Sequence, residues 1–500
     1  APNVALADLN LDGRVDVLRH DDSDGWIWLR YFDAHGYAPA EPVPPPPAGM
    51  RLGDPGVQLA DMDGDRLPDL VRIIPTDARI LVAPGAGLGL FDEPTDMSGV
   101  PTMHETDRFE LADLNGDGAA DLVRIGGAQL DFFINQHDGN FAPAGSAVWP
   151  ALEADEVVLV TDIDGSGTLD ILRADTDGSQ PWRVWSLYAE RPGLLARFEN
   201  GLGYVREHRY RSAAQPAAED AAAGDPWKII PPEPLPVLVE TREDDGAGWT
   251  STLRRHFRDG FFDPRRGEFR GFGELRDETT GDAYTEPATI SRRYDLGQLD
   301  EARGLQLIAA ETRTPRGVLV RDEHTLAVEH PVPGVQAVRR TATDTYHVEA
   351  GPEAAAARVR VEWDHDAWAN ILEQRALGRV DRQTGADLPG DEQITTYVYA
   401  TPTAEDGPRD RIAEQIVTDA DGTQITATRT YYDGEPEQGL PLGQLETRGV
   451  VARVELWLSG DTWVNTLRQT VDARGNISRV RDAEDGMLER RWDAAGLFPA

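Results

Sequence analysis

The chain has no cysteine among its 500 residues, so no disulfide holds it and no thiol chemistry is available to it. That absence leaves the compartment open, because secreted bacterial proteins often manage without disulfides. Aromatic residues make up only 7%, and no apolar run approaches the roughly 20 residues of a membrane-spanning helix. The N-terminus lacks the basic-then-apolar pattern of a secretion signal. It also lacks an initiator Met and starts inside a repeat, so the sequence reads as a piece of something longer. Lys and Arg number 49 against 88 Asp and Glu, a net charge of −39, which argues against sequence-independent nucleic-acid binding, since that runs on neutralising phosphates. No Gly-rich phosphate loop, His-Glu-x-x-His helix or Gly-x-Ser-x-Gly elbow occurs. The ten histidines, among them His20, His104, His208, His256 and His365, are scattered. No catalytic residue is assigned, and the expectation is a non-enzyme.

What the sequence does have is one acidic loop written four times: DLNLDGRVD at Asp8 to Asp16, DMDGDRLPD at Asp61 to Asp69, DLNGDGAAD at Asp113 to Asp121 and DIDGSGTLD at Asp162 to Asp170. Positions 1, 3, 5 and 9 carry oxygen-bearing side chains in every copy. They are Asp8, Asn10, Asp12 and Asp16; Asp61, Asp63, Asp65 and Asp69; Asp113, Asn115, Asp117 and Asp121; and Asp162, Asp164, Ser166 and Asp170. Position 7, Arg14 in the first copy, offers a backbone carbonyl. Such a set suits a hard cation, and Ca2+ is the expected ion, one per loop. With Ser166 replacing an acid the fourth site is expected to be weakest, and the first and third to be good candidates.

An EF-hand begins with the same alternation but needs a bidentate Glu at position 12 and flanking helices. Here position 12 is Arg19, Arg72, Arg124 and Arg173, and the flanks alternate as strands do, as in Val57 to Ala60 and Leu70 to Ile73. Each loop therefore joins two β-strands. Asp and Gly also make tight turns without any metal; four copies at matched positions favour cation loops over turns alone.

The loops recur at a period near fifty, that of a propeller blade or another stacked β unit. After each loop comes a second strand, at Trp26 to Leu29, Arg79 to Val82, Leu130 to Ile134 and Trp182 to Trp185. A turn ending on an aromatic follows, at Gly36-Tyr37, Leu90-Phe91, Asn140-Phe141 and Gly203-Tyr204. The tryptophans Trp26, Trp28, Trp182 and Trp185 are expected in the inter-blade core rather than stacked on sugars, and the position-12 arginines are expected to pair with acids of a neighbouring blade. These units resemble FG-GAP/VCBS repeats of integrin-type and bacterial β-propellers, which implies calcium in the loops. The match runs over 1–211 and implies a scaffold rather than a function.

Residues 212–236 read as an exposed connector ending in a Pro-rich spacer. The segment Leu253 to Glu274, with Asp263-Pro264 and Glu268-Phe269-Arg270-Gly271-Phe272-Gly273, reads as strand, turn and aromatic-rich strand, with Gly271 and Gly273 permitting a bulge. Its wording, placed after a propeller, resembles the middle region of insecticidal toxin-complex B subunits (TcdB-like) and the related SpvB-like proteins. Gly267 departs from the family's usual Arg before Glu-Phe-Arg-Gly-Phe. Beyond it, Tyr294-Asp295, Trp363-Asp364 with Asn370, Tyr432-Asp433-Gly434, Asp472 with Gly475-Asn476, Asp482 with Gly486 and Trp492-Asp493 resemble Rhs/YD repeats, whose Asp-Gly or Gly-Asn pairs make hairpin turns. Patterns between Ala327 and Ala357 are weak, and Glu353 to Arg358 fits a short helix or a loop.

The expected architecture is all-β, with propeller blades at 1–211, a linker at 212–236, and a middle region and β-sheet shell at 237–500. The resemblance implies a secreted toxin-complex component whose propeller docks on and gates a pore-forming A subunit, and whose shell encloses a C-terminal toxin or C subunit. The alternative is a secreted calcium-dependent adhesin.

Overall fold

The computed structural model describes all residues except 1–2, 12–13, 22–24, 34–35, 151–155, 176–177, 179–180, 189, 233, 264–265, 283–284, 333, 349–355, 405–406, 447, 473, 494 and 498–500. The chain forms two compact units, Ala1–Leu275 and Arg276–Ala500.

The first unit holds four small antiparallel sheets, one per repeat. Their leading strands are Val4–Ala7, Asp16–Asp21 and Gly25–Leu29; Val57–Ala60, Asp69–Ile74 and Arg79–Ala83; Arg108–Ala112, Asp121–Ile125 and Gln129–Asn135; and Glu156–Thr161, Asp170–Asp175 and Arg183–Ser186. Each acidic loop joins the first strand to the middle one, as the flanking alternation requires. This is a four-blade propeller-like arrangement.

The middle strands explain why the blades stack. Side chains alternate across a strand, so adjacent apolar residues face opposite neighbours. Leu70 packs in one core with Leu9, Leu18, Trp26 and Trp28 of the first blade, whereas Val71 packs in another with Leu122 and Phe141 of the third. Leu122 and Val123 repeat the division, Val123 lying with Val158 and Ile171 of the fourth blade. A blade with two apolar faces cannot satisfy both alone, and stacking buries them.

The first part of the connector is helical. Residues Ala214–Ala222 form an α-helix, and Ala213, Ala217, Trp227 and Val237 build a buried cluster. The run of Ala, Glu and Gln that reads as an exposed linker is good helix-forming composition, and its small residues let the helix sit close. Strands Arg197–Glu199 and Val205–Ser212 before the helix, and Pro236–Asp244, Thr250–Asp263 and Glu268–Thr279 after it, form one antiparallel meander. The fourth aromatic turn therefore belongs elsewhere: Tyr204 leads into Val205–Ser212 of this meander, not into the fourth blade. Phe272 sits among Phe257, Phe269 and Trp227 at centroid distances of 4.8, 5.2 and 6.1 Å. Gly271 has φ +102°, which supports the expected irregularity.

The second unit is a long antiparallel meander from Ala288–Asp295 to Met487–Glu489. The weakly patterned stretch forms strands Gly317–Val332 and Val335–His347, and Ala357–His365 is a strand; Glu353, Ala354 and Ala355 lie outside the described residues.

The hairpin turns differ in detail from the expected two-residue pairs. A carboxylate at position i accepts the amides of i+2 and i+4. Asp366 does this for Trp368 and Asn370, Asp472 for Arg474 and Asn476, and Asp482 for Glu484 and Gly486. The Asp thus satisfies the turn's own donors through an Asx geometry, and Asn370 pairs with Asp366 rather than Asp364.

Candidate functional site

The acidic loops are wound around their own first carboxylate. Asp61 accepts the amides of Gly64 at 2.8 Å and Arg66 at 2.7 Å. Asp113 accepts those of Gly116 and Gly118 at 2.6 and 3.0 Å, and Asp162 those of Ser166 and Gly167 at 2.9 and 2.8 Å. Positions 3 and 5 cap the next turn: Asp63 accepts from Asp65, and Asp65 from Leu67. Asn115 accepts from Asp117, and Asp117 from Ala119, while Asp164 accepts from Ser166. In the first loop Asp8 accepts from Asn10 at 3.3 Å. Arg14 lies 5.7 Å over the Tyr31 ring, and Asp12 lies outside the described residues.

Position 9 is the anchor. Asp16, Asp69, Asp121 and Asp170 are 0, 1, 0 and 1% exposed. Each accepts the amide of the residue at position 2, namely Leu9, Met62, Leu114 and Ile163. The other carboxylate oxygen binds the blade's third strand or the residues after it: Tyr31 N, Gly85 N, Asn135 N and the Ser186 hydroxyl, respectively. Burial pushes the Asp69 carboxyl up to about 6 and that of Asp121 up to about 7, against the opposing pull of these amide bonds. A buried carboxylate with no cation beside it is costly when charged.

Carboxylate oxygens of Asp61, Asp63 and Asp65, and of Asp162, Asp164 and Asp170, come within 4.8 Å of one another. Among the described residues the second and fourth loops thus bring three acids together; the first loop's Asp12 lies outside them. Asn115 and Asp117 of the third loop instead bond each other at 2.8 Å. Ser166 bonds Thr168 at 3.0 Å and leaves the three acids of its loop to converge.

The loops also join neighbouring blades. The Ala120 amide donates to the Asp61 carbonyl at 2.6 Å, and the Leu88 amide to the Leu9 carbonyl at 2.6 Å. Asn135 Nδ2 reaches the Met62 carbonyl at 2.7 Å. His137, which no motif marks, has Nε2 3.2 Å from Asp117 Oδ2 and Nδ1 3.3 Å from the Asp63 carbonyl. Its neighbours Asp138-Gly139-Asn140 read only as a turn.

Arg124 and Arg173 pair with acids of their own blades, where acids of the neighbouring blade are expected. Arg124 holds Asp107 at 2.7 Å and Asp131 at 3.0 Å, and Arg173 holds Glu156 and the Pro150 carbonyl. Arg72 donates to the Gly49 carbonyl at 2.7 Å. In these three blades the middle strand's arginine thereby fastens the segment that enters the blade. Trp26 and Trp28 are core, and Trp185 packs 4.5 Å from Trp149. Trp182, however, is 62% exposed and lies outside that core.

Residues 135–296 match the family model for the insecticide toxin TcdB middle/N-terminal region. No curated protein matches the chain. Among solved structures, the Photorhabdus luminescens Tc holotoxin pore superposes with a TM-score of 0.75 at 17% identity, over 100% of this chain and 31% of that one. A TcdB2-TccC3 complex without its hypervariable C-terminal region gives 0.71 at 18%, over 99% and 31%, and a TcdB2-TccC3-Cdc42 complex 0.70 at 15%, over 99% and 36%. The chain spans about a third of the length of the solved structures it matches. Among the described residues no helix is long and apolar enough to cross a membrane. The chain has the all-β fold of the Tc toxin structures along its length, and residues 135–296 are similar to the insecticide toxin TcdB middle/N-terminal region.

Proposed function

We propose that this chain is a non-enzymatic structural part of a secreted toxin complex. Its blades form a docking and gating module for a pore-forming A subunit, and the meander of the second unit is part of a wall around a C-terminal toxin. The observation that supports this best is the agreement in fold along the full chain with a Tc holotoxin pore. Physically the parts suit the task. Blade contacts run through few backbone bonds and apolar seams, so neighbouring blades can shift as bodies, while a long antiparallel meander closes its backbone groups strand by strand and presents a continuous surface.

Calcium in the acidic loops belongs to the same reading. The donors are all hard oxygens, the second and fourth loops converge three carboxylates, and the buried anchors Asp69 and Asp121 carry a charge cost that a cation would relieve. Asp61, Asp63 and Asp65, and Asp162, Asp164 and Asp170, would hold the ions.

The docking role is tested by mixing the full-length protein with the pore-forming A subunit of a toxin complex and imaging the mixture by electron microscopy. The reading expects the first unit seated on the A subunit. Attachment through the second unit alone, or no complex at micromolar concentration, would contradict it.

A further inference from the structure

The first unit has a second constellation, away from the anchors of the acidic loops. A cavity of about 480 Å³ is lined by the segment after the fourth blade, strand Val205–Ser212 and helix Ala214–Ala222. A second, of about 470 Å³, adjoins it, with Arg191, Leu194 and Pro236 in both linings, and runs on to Asn115 and Asp117. The two make one groove rather than one round pocket.

The charge of its wider end is unusual for a chain of net charge −39. Most arginines of this protein are spent on carboxylates, and Arg211, in the same wall, is paired with Glu219 at 2.6 Å. Arg209 is different: it is exposed and among the described residues has no ion pair or side-chain hydrogen bond. Among the described residues Arg191 donates only to the Gly116 carbonyl, which leaves most of its five N–H groups uncommitted. His208 uses one ring nitrogen on Thr241 at 3.1 Å. Leu194, Tyr210 and Pro236 supply apolar floor between these cations.

We propose that this groove binds an extended acidic peptide segment, with a carboxylate between Arg191 and Arg209 and an apolar neighbour on Leu194, Tyr210 and Pro236. The uncommitted guanidiniums select a carboxylate, which they can take in a bidentate pair. The elongated, partly apolar shape selects a chain over a small free anion. The acidic end at Asp117 sets polarity, favouring a peptide whose acid lies toward the Arg209 end. Glu190 and Glu219 line the same cavity and discriminate against a peptide carrying several adjacent acids. This rests on the groove itself and not on any assigned partner.

The test is fluorescence anisotropy of a labelled peptide of glutamate, serine and leucine titrated with the full chain at fixed calcium, beside its glutamine counterpart and with citrate as competitor. The expected result is saturable binding that Arg209→Glu weakens at least about tenfold, Arg209→Lys weakens less, and glutamine for glutamate abolishes, since one charge-assisted pair accounts for a factor of that size. Arg79→Ala, in an exposed pair with Asp96 on the second blade, leaves binding unchanged. Arg209 carries no structural bond, so its variants fold. Equal binding by Arg209→Glu, or by the glutamine peptide, would overturn the proposal. Citrate binding as tightly as the peptide would overturn the extended-chain occupant.

Discussion

His137 Nε2 stands 3.2 Å from Asp117 Oδ2 while the other ring nitrogen faces the Asp63 carbonyl at 3.3 Å, so one imidazole links the acidic loops of the second and third blades. Both partners are acceptors, and a neutral imidazole has only one N–H to give. The bridge is complete only in the protonated ring. The Asp117 hydrogen bond accordingly raises the His137 pKa. Burial pushes Asp117 up, but hydrogen bonds from Ala119, Asn115 and His137 outweigh it, and its pKa falls.

Replacing His137 by Ala removes this bridge. The expected loss is about 1 kcal/mol, the net worth of a partly exposed charge-assisted bond, read as a lower urea midpoint with an unchanged slope. The loss should be larger at pH 6 than at pH 8.

The pH dependence of the cation-free protein has a definite sign. His137, Asp69 and Asp121 all have folded pKa values above their ordinary ones. Each therefore favours the folded state at low pH and loses that contribution as pH rises through its folded value, about 6 for Asp69 and about 7 for Asp121. In EDTA the first unit should melt roughly 5 °C higher near pH 5.5 than near pH 8. Calcium should flatten or reverse that slope, because it stabilises the ionised carboxylates. Differential scanning calorimetry at both pH values, with and without calcium, measures it.

The position-9 anchors separate hydrogen bonding from charge. Asp121→Ala leaves the buried amides of Leu114 and Asn135 without their acceptor, at a cost of about 2–4 kcal/mol. Asp121→Asn keeps an acceptor and should cost less. Denaturant titrations of the two variants give the difference.

Burial decides which ion pairs matter. The Arg173 and Glu156 side chains are 4% and 11% exposed, so Glu156→Gln should destabilise by about 3 kcal/mol. Arg79 and Asp96, at 47% and 54%, are screened by solvent, and Asp96→Asn should leave the denaturant midpoint nearly unchanged.

Much of this was legible in the chain itself wherever local chemistry repeats. The period of the acidic loop places every middle strand, because a carboxylate at position 9 must cap the turn that precedes it. The apolar pair after each loop, such as Leu70-Val71, announces a strand buried on both faces. What was hidden depends on partners distant in sequence. His137 reaches Asp63 and Asp117 across a blade seam and lies in a left-handed turn, φ 59°, with no motif around it. Arg124 finds Asp107 and Asp131 in its own blade because the strand register places them opposite or beside it. The helix at Ala214–Ala222 is masked by a composition that serves linkers and helices alike. The convergence of Asp162, Asp164 and Asp170 depends on Ser166 turning to Thr168, which residue type alone does not reveal.

The proposal that this chain helps wall in a polypeptide cargo is tested most directly by limited proteolysis of the full-length protein assembled with a C-terminal toxin of a toxin complex. The account predicts that the toxin resists a protease that digests it freely on its own, and becomes accessible when the wall is unfolded by denaturant. A toxin cleaved at the same rate inside the assembly as outside it would contradict the account.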